Sequence, residues 1–126
     1  MPLALVQLTP PAMEPVTVEE LKGHLRLDTS EQDAMLALLI QAARAMLEMT
    51  LWRQFVYATW GSHLDGWAPC IEIPRPPLAS LTPTVDEPDL GIVYLDPAGL
   101  WQPLEPSTYQ VDVASQPGRI VPVGTW

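Results

Sequence analysis

Between Thr29 and Leu51 the chain reads TSEQDAMLALLIQAARAMLEMTL, and this stretch decides how the rest is organised. Thr29, Ser30 and Asp33 offer N-cap oxygens, acidic residues occupy the first turn, and no Gly or Pro interrupts the remainder. The spacing predicts one helix running to about Leu51. Its polar residues Asp33, Gln41, Arg44 and Glu48 form a narrow stripe. Met35, Leu36, Leu38, Leu39, Ile40, Ala42, Ala43, Met46, Leu47 and Met49 cover almost everything else. A helix that apolar is expected to be buried on more than one side. The remaining chain offers only one short helix and some strands to cover it, so neighbouring copies or helices from elsewhere are expected to take part. Leu36, Leu39, Ala43, Met46 and Leu47 are the candidates for helix packing or an oligomer interface.

Upstream, Thr17-Val-Glu-Glu20 has the form of a capping box, and Val18, Leu21 and Leu25 share one face. These residues predict a two-turn amphipathic helix, with Glu19, Lys22 and Arg26 expected in water. Residues 1–15 hold Pro2, Pro10, Pro11 and Pro15 and no apolar period, so they read as an extended arm lying on a neighbour or on the chain's own domain. Residues 16–52 form the helical part.

Downstream the period changes to two. Val56, Ala58, Trp60 and Leu64 alternate with Phe55, Tyr57, Thr59 and His63, as in a strand. Cys70 to Ile73 gives a second short strand. Arg75-Pro-Pro-Leu78 is expected to be extended, because a residue before proline is pushed toward β or polyproline geometry. Thr82 to Gly91 is acidic and reads as a surface loop; Asp86, Glu87 and Asp89 lack the glycine and downstream glutamate of a calcium loop. Ile92 to Leu95 and Leu100 to Leu104 flank Asp96-Pro-Ala-Gly99, whose residues suit a type I turn, so a hairpin is expected. Tyr109 to Val113 and Arg119 to Val121 complete the set. Residues 53–126 are thus an antiparallel β part, and the whole is one compact α+β domain: two N-terminal helices, one short and one long and largely buried, followed by a small antiparallel sheet.

The 126 residues suffice for one domain. Fifteen acidic against six basic residues give a net charge of −9, which disfavours binding to nucleic acid but would keep DNA from adhering to a passage it traverses. The single cysteine, Cys70, forms no internal disulfide and suits a reducing cytoplasm. The N-terminus lacks the basic start of a signal peptide, and no run of about 20 apolar residues suggests a membrane span. The sequence is expected to be soluble.

Catalysis and metal binding find little support. His24 and His63 stand outside any nucleophile–base motif, one cysteine with two scattered histidines makes no zinc site, and there is no glycine-rich phosphate loop. No enzyme, cofactor or metal site is expected. Trp52, Trp60, Trp67, Trp101 and Trp126 allow a carbohydrate- or peptide-binding β module as an alternative; burial in a sheet core is the simpler use of such side chains.

Pro15 to Asp28 (PVTVEELKGHLRLD), Glu31 to Asp33, Ala42 to Ala45 (AARA), Ile73 to Leu78 (IPRPPL), Asp96 to Gly99, Tyr109 to Asp112 (YQVD) and Pro117 to Ile120 (PGRI) follow one another in a set order. In that order and spacing the chain resembles the phage head–tail connector family, the neck adaptors below the portal in long-tailed phages and gene-transfer agents. The resemblance implies a non-catalytic subunit of a ring, commonly twelve-fold, between the portal and a stopper or tail-completion protein. DNA would pass only through the lumen. The setting implied is the virion neck, after assembly in the host bacterial cytoplasm. A stopper or tail terminator is the alternative within the same structural class. The segment from Thr82 to Gly91 looks longer than the usual link, and family members of this type usually continue past the Gly-Arg-Ile strand into further helices, whereas the present sequence stops at Trp126.

Overall fold

The computed structural model describes residues 4–81 and 91–123, which fall into two compact units, residues 1–65 and 66–126. The class is α+β: two helices followed by small antiparallel sheets. The acidic stretch 82–90 and Trp126 lie outside the described residues.

In the first unit, β1 (Ala4–Thr9) precedes α1 (Val18–Leu25), α2 (Asp33–Leu51) and β2 (Thr59–His63). The N-terminal stretch lies on its own unit. β1 pairs antiparallel with β2 from Ala4 opposite His63 to Thr9 opposite Thr59, with a register shift between Gln7 and Thr9. The start of α1 is the capping box anticipated from Thr17 and Glu20. Thr17 Oγ1 accepts from the Glu20 N–H at 3.2 Å, and the Thr17 N–H donates to the Glu20 carboxylate at 2.8 Å. The Thr17 N–H and hydroxyl both donate to the Glu20 carboxylate and hold its pKa below its ordinary value. Both helices end on a left-handed residue, Arg26 at φ 56° and Trp52 at φ 53°, whose N–H groups return to carbonyls of the last turn.

Two helix expectations are corrected. Lys22, expected in water, is only 8% exposed, and its ammonium lies 3.1 Å from the Asp33 carboxylate at the start of α2. Its aliphatic stem is buried while the charged end finds a partner, as long basic side chains allow. On the polar stripe of α2, Glu48 is buried and Asp33 and Arg44 are half-buried while Gln41 is exposed, and most of the apolar surface is exposed. By length and composition alone α2 also reaches what a membrane crossing needs, contrary to the expectation that no segment does. Its charges are nevertheless paired within this unit.

The strand expected from Arg53 begins only at Thr59, because the N–H groups of Phe55 and Val56 are taken by a side chain of α2 rather than by a ladder. β2 also pairs with β1 and not with the later strands, so the single sheet expected for residues 53–126 is replaced by three separate ones.

The second unit holds β3 (Ile71–Glu72), β4 (Val93–Leu95), β5 (Trp101–Pro103), a 3-10 turn at Pro106–Thr108, β6 (Tyr109–Asp112) and β7 (Arg119–Pro122). β7 is central, flanked antiparallel by β3 and β6, and the core of the unit is Ile71, Tyr109 and Ile120. Ile120 stands opposite both Ile71 and Val111. Gly118 is required here, since a Cβ would lie 2.6 Å from the Leu78 Cβ. Arg75 departs from the expected extended path with φ 59°, turning the chain just after β3. Its position before proline disfavours the right-handed helical region, and the left-handed alternative makes the turn.

Candidate interaction surface

The orientation of α2 is set from its buried side. Glu48, only 2% exposed, accepts four bonds: from Arg44 Nη1 at 2.7 Å, Gln54 Nε2 at 3.0 Å, the Phe55 N–H at 2.9 Å and the Val56 N–H at 3.4 Å. Arg44 turns its other edge to Glu14, with Nε at 2.6 Å and Nη2 at 3.2 Å from the two carboxylate oxygens. This is the forked pairing a guanidinium makes best. The Glu14 carboxylate above all, with Glu48 adding to it, holds the Arg44 guanidinium above its ordinary pKa despite desolvation. Gln54 extends the chain of bonds, accepting from the Trp60 indole N–H at 3.2 Å. One network therefore ties the loop before α1, the last turns of α2, the loop after it and β2.

Asp33, Arg44 and Glu48 are the only charged residues of α2, and each is paired on the buried side. With 3.6 residues per turn, the opposite side carries Met35, Leu38, Leu39, Ala42, Met46 and Met49. All six are exposed, the five large ones by more than half of their surface. They form an arc about 100° wide, the width with which a helix ordinarily faces a core. The arc contains no charge, in a chain of net charge −9. Of the five sequence candidates, Leu36 is buried inside the unit, Leu39 and Met46 lie in the outward arc, Ala43 is exposed at its flank, and Leu47 is half exposed on the side of Leu36.

The second unit has a smaller apolar surface of its own. In the β4–β5 hairpin, Val93, Leu95 and Trp101 share a face, with Leu95 opposite Trp101, and all three are exposed. The expected burial of Trp101 is thus corrected: a two-stranded sheet has no second layer to cover it. The turn is held by Asp96, whose carboxylate accepts from the N–H groups of Ala98 and Leu100 and from Gln102 Nε2. These bonds, the Leu100 one foremost, keep its pKa low.

His24, His63 and Cys70 are exposed, and among the described residues no three His, Cys, Asp or Glu side chains are grouped to hold a metal ion. Residues 15–80, just over half the chain, match the family model described as phage gp6-like head-tail connector protein.

The chain belongs to that family. Its role is therefore structural, at the head–tail junction of a phage. The match takes in α1, α2 and β2, and so the outward arc; the later fragments of the resemblance, Asp96 to Gly99, Tyr109 to Asp112 and Pro117 to Ile120, lie beyond it. No curated protein and no solved structure matched the connector. Sequence reasoning placed Arg44 and Glu48 on the polar stripe of α2 but missed that they are its anchor. The signal available was their i, i+4 spacing; nothing in the sequence marked Glu14 as the third member.

Proposed function

We propose that this connector is a ring-forming adaptor subunit of the phage neck, assembled in the host cytoplasm and docked between the portal and a stopper or tail-completion protein, with DNA passing through the lumen. The observation that carries this reading is the uncharged outward arc of α2 in a member of a head–tail connector family. A buried ion network turns every charge of the helix inward and leaves its apolar side for a neighbour. Exposed apolar surface of this kind is the usual mark of a protein–protein contact. Leu39 and Met46 are proposed interface residues, Ala43 flanks them, Leu47 adds a half-exposed contact on the Leu36 side, and Leu36 supports the helix from within. The acidic balance suits a passage that DNA crosses without adhering. A ring commonly has twelve copies in this family, and that number is proposed for this connector.

The test is to mix the connector with its cognate portal and measure the mass of the complex by light scattering after size exclusion. A stoichiometric complex, reduced at least tenfold in affinity by Met46→Glu with α-helical circular dichroism unchanged, is expected. Failure to bind the portal at micromolar concentration overturns the adaptor reading.

A further inference from the structure

The outward arc has a symmetry of its own. α2 runs from Asp33 to Leu51, so Ala42 is its central residue and lies in the arc. On either side stand larger residues at matching distances: Met35 and Met49 seven positions away, Leu38 and Met46 four positions away. The arc therefore reads nearly the same in both directions, Leu39 alone facing a small residue, Ala45, at the matching distance.

We infer that the free connector pairs with a second copy through this arc, the two α2 helices antiparallel about a two-fold axis passing beside Ala42. The inference rests on the adaptor reading only in giving the dimer a purpose. In such a pair Met35 of one copy meets Met49 of the other, Leu38 meets Met46, and the two Ala42 residues let the helix axes approach at the crossing. Side-chain ridges on both helices can then interlock. Methionine adapts its shape to whatever lies opposite, so Met35, Met46 and Met49 tolerate this contact and later exchange it for another. The charge pattern favours a second copy as the occupant: chains carrying −9 repel over their surfaces in general, and the arc is a face of α2 where two copies meet without opposing like charges. Covering six side chains on each copy removes on the order of 1,000 Å², the low end of a specific interface. That fits a dimer which forms alone and yields to a better partner.

A two-fold contact uses the same patch on both copies and closes on itself, whereas a head-to-tail contact continues into rings or open filaments. The free dimer thereby keeps the arc of each copy covered and prevents untemplated growth until neck components displace it.

The test begins with light scattering of the free connector over a concentration series, where a mass of two chains is expected, falling to one in Ala42→Glu. Cysteine pairing then reads the geometry. In a Cys70→Ser background, Ala42→Cys should form a disulfide dimer under mild oxidation. Leu38→Cys alone should not, while a mixture of Leu38→Cys and Met46→Cys should. A monomer at all concentrations overturns the inference, as does a free ring, or Leu38→Cys cross-linking with itself as readily as Ala42→Cys. Portal binding is scored separately, so loss of the adaptor reading would show there whatever the mass of the free chain.

Discussion

Replacing Glu48 by alanine removes the acceptor for four groups at once: Arg44 Nη1, Gln54 Nε2 and the N–H groups of Phe55 and Val56. Arg44, whose side chain is only 11% exposed, keeps Glu14 but loses its second carboxylate. Removing one partner of a buried ion pair typically costs about 3–5 kcal/mol, because the remaining charge stays desolvated. The backbone groups of the 53–58 loop lie closer to water and recover part of their bonding, so the total should stay within that range. With a urea slope of about 1.5–2 kcal/mol/M, the unfolding midpoint of the first unit should fall by roughly 2 M. Tryptophan fluorescence suits the assay, since the Trp60 indole is bonded to Gln54 within the same network. Glu48→Gln keeps an oxygen for Phe55 and Val56 and should lose about half as much, close to what a hydrogen bond to a charged group contributes, about 1.5–3 kcal/mol. The triple replacement Glu14→Leu, Arg44→Met and Glu48→Leu, which removes the whole ion cluster, should recover part of the loss, as apolar substitutes for buried ion pairs often do, with the Phe55 and Val56 N–H groups still lacking their acceptor. A Glu48→Ala variant within about 1 kcal/mol of the parent would refute the view that this carboxylate anchors α2.

Leu36→Ala should cost about 2–5 kcal/mol and Leu47→Ala less than about 1 kcal/mol in chemical denaturation of the free chain, since the first is buried and the second, although on the same side of the helix, is half exposed; equal losses would mean that the last turns of α2 are packed as closely as its start. Gly118→Ala should destabilise the second unit by about 1–3 kcal/mol, because the new Cβ meets the Leu78 Cβ at 2.6 Å; Leu78→Gly in the same chain, which removes that Cβ, should make the Gly118→Ala step less costly in a thermal melt, whereas Leu78→Ala should not. Glu20, Asp96 and Asp112 all have pKa values lowered by the bonds their carboxylates accept, from Thr17, from Leu100 and from Ser115 foremost. The unfolded chain binds protons more readily at these positions, so their contribution is complete above roughly pH 4, the ordinary carboxylate range. It is lost as the pH falls through the lowered values. Their exposure keeps the effect small, and replacing all three by the corresponding amides should flatten the acid limb of a stability–pH curve without moving it near neutrality.

Local chemistry was legible in the sequence and distant pairing was not. Thr17 with Glu20, the end of α2 near Leu51 and the Asp96 to Gly99 turn each depend on residues within a few positions, and each formed as read. β1 was not recognised as a strand, because its pairing with β2 joins residues some fifty positions apart and has no local signature. The orientation of α2 misled for a physical reason. A mostly apolar helix with one polar stripe ordinarily turns the stripe to water, and here Glu14, far from the helix in sequence, completes a network that turns the charged residues of the stripe inward, Gln41 alone staying exposed. Lys22 obeyed the same pattern, its partner Asp33 lying on the next helix. The members of the outward arc could be named from sequence one by one, but which way they pointed depended on those distant pairs.

The Glu14–Arg44 fork also divides the N-terminal stretch mechanically. Tension applied ahead of Ala4 would strip β1 from β2 a few backbone bonds at a time, each yielding before the next is loaded. At Glu14 the same tension would meet two charge-assisted bonds to one guanidinium that must break together, on a helix whose far turn is held by Glu48. The chain thus has an outer segment that peels at low force and a firm stop behind it, so a pull on the end of this subunit can be absorbed in β1 before it reaches the helices.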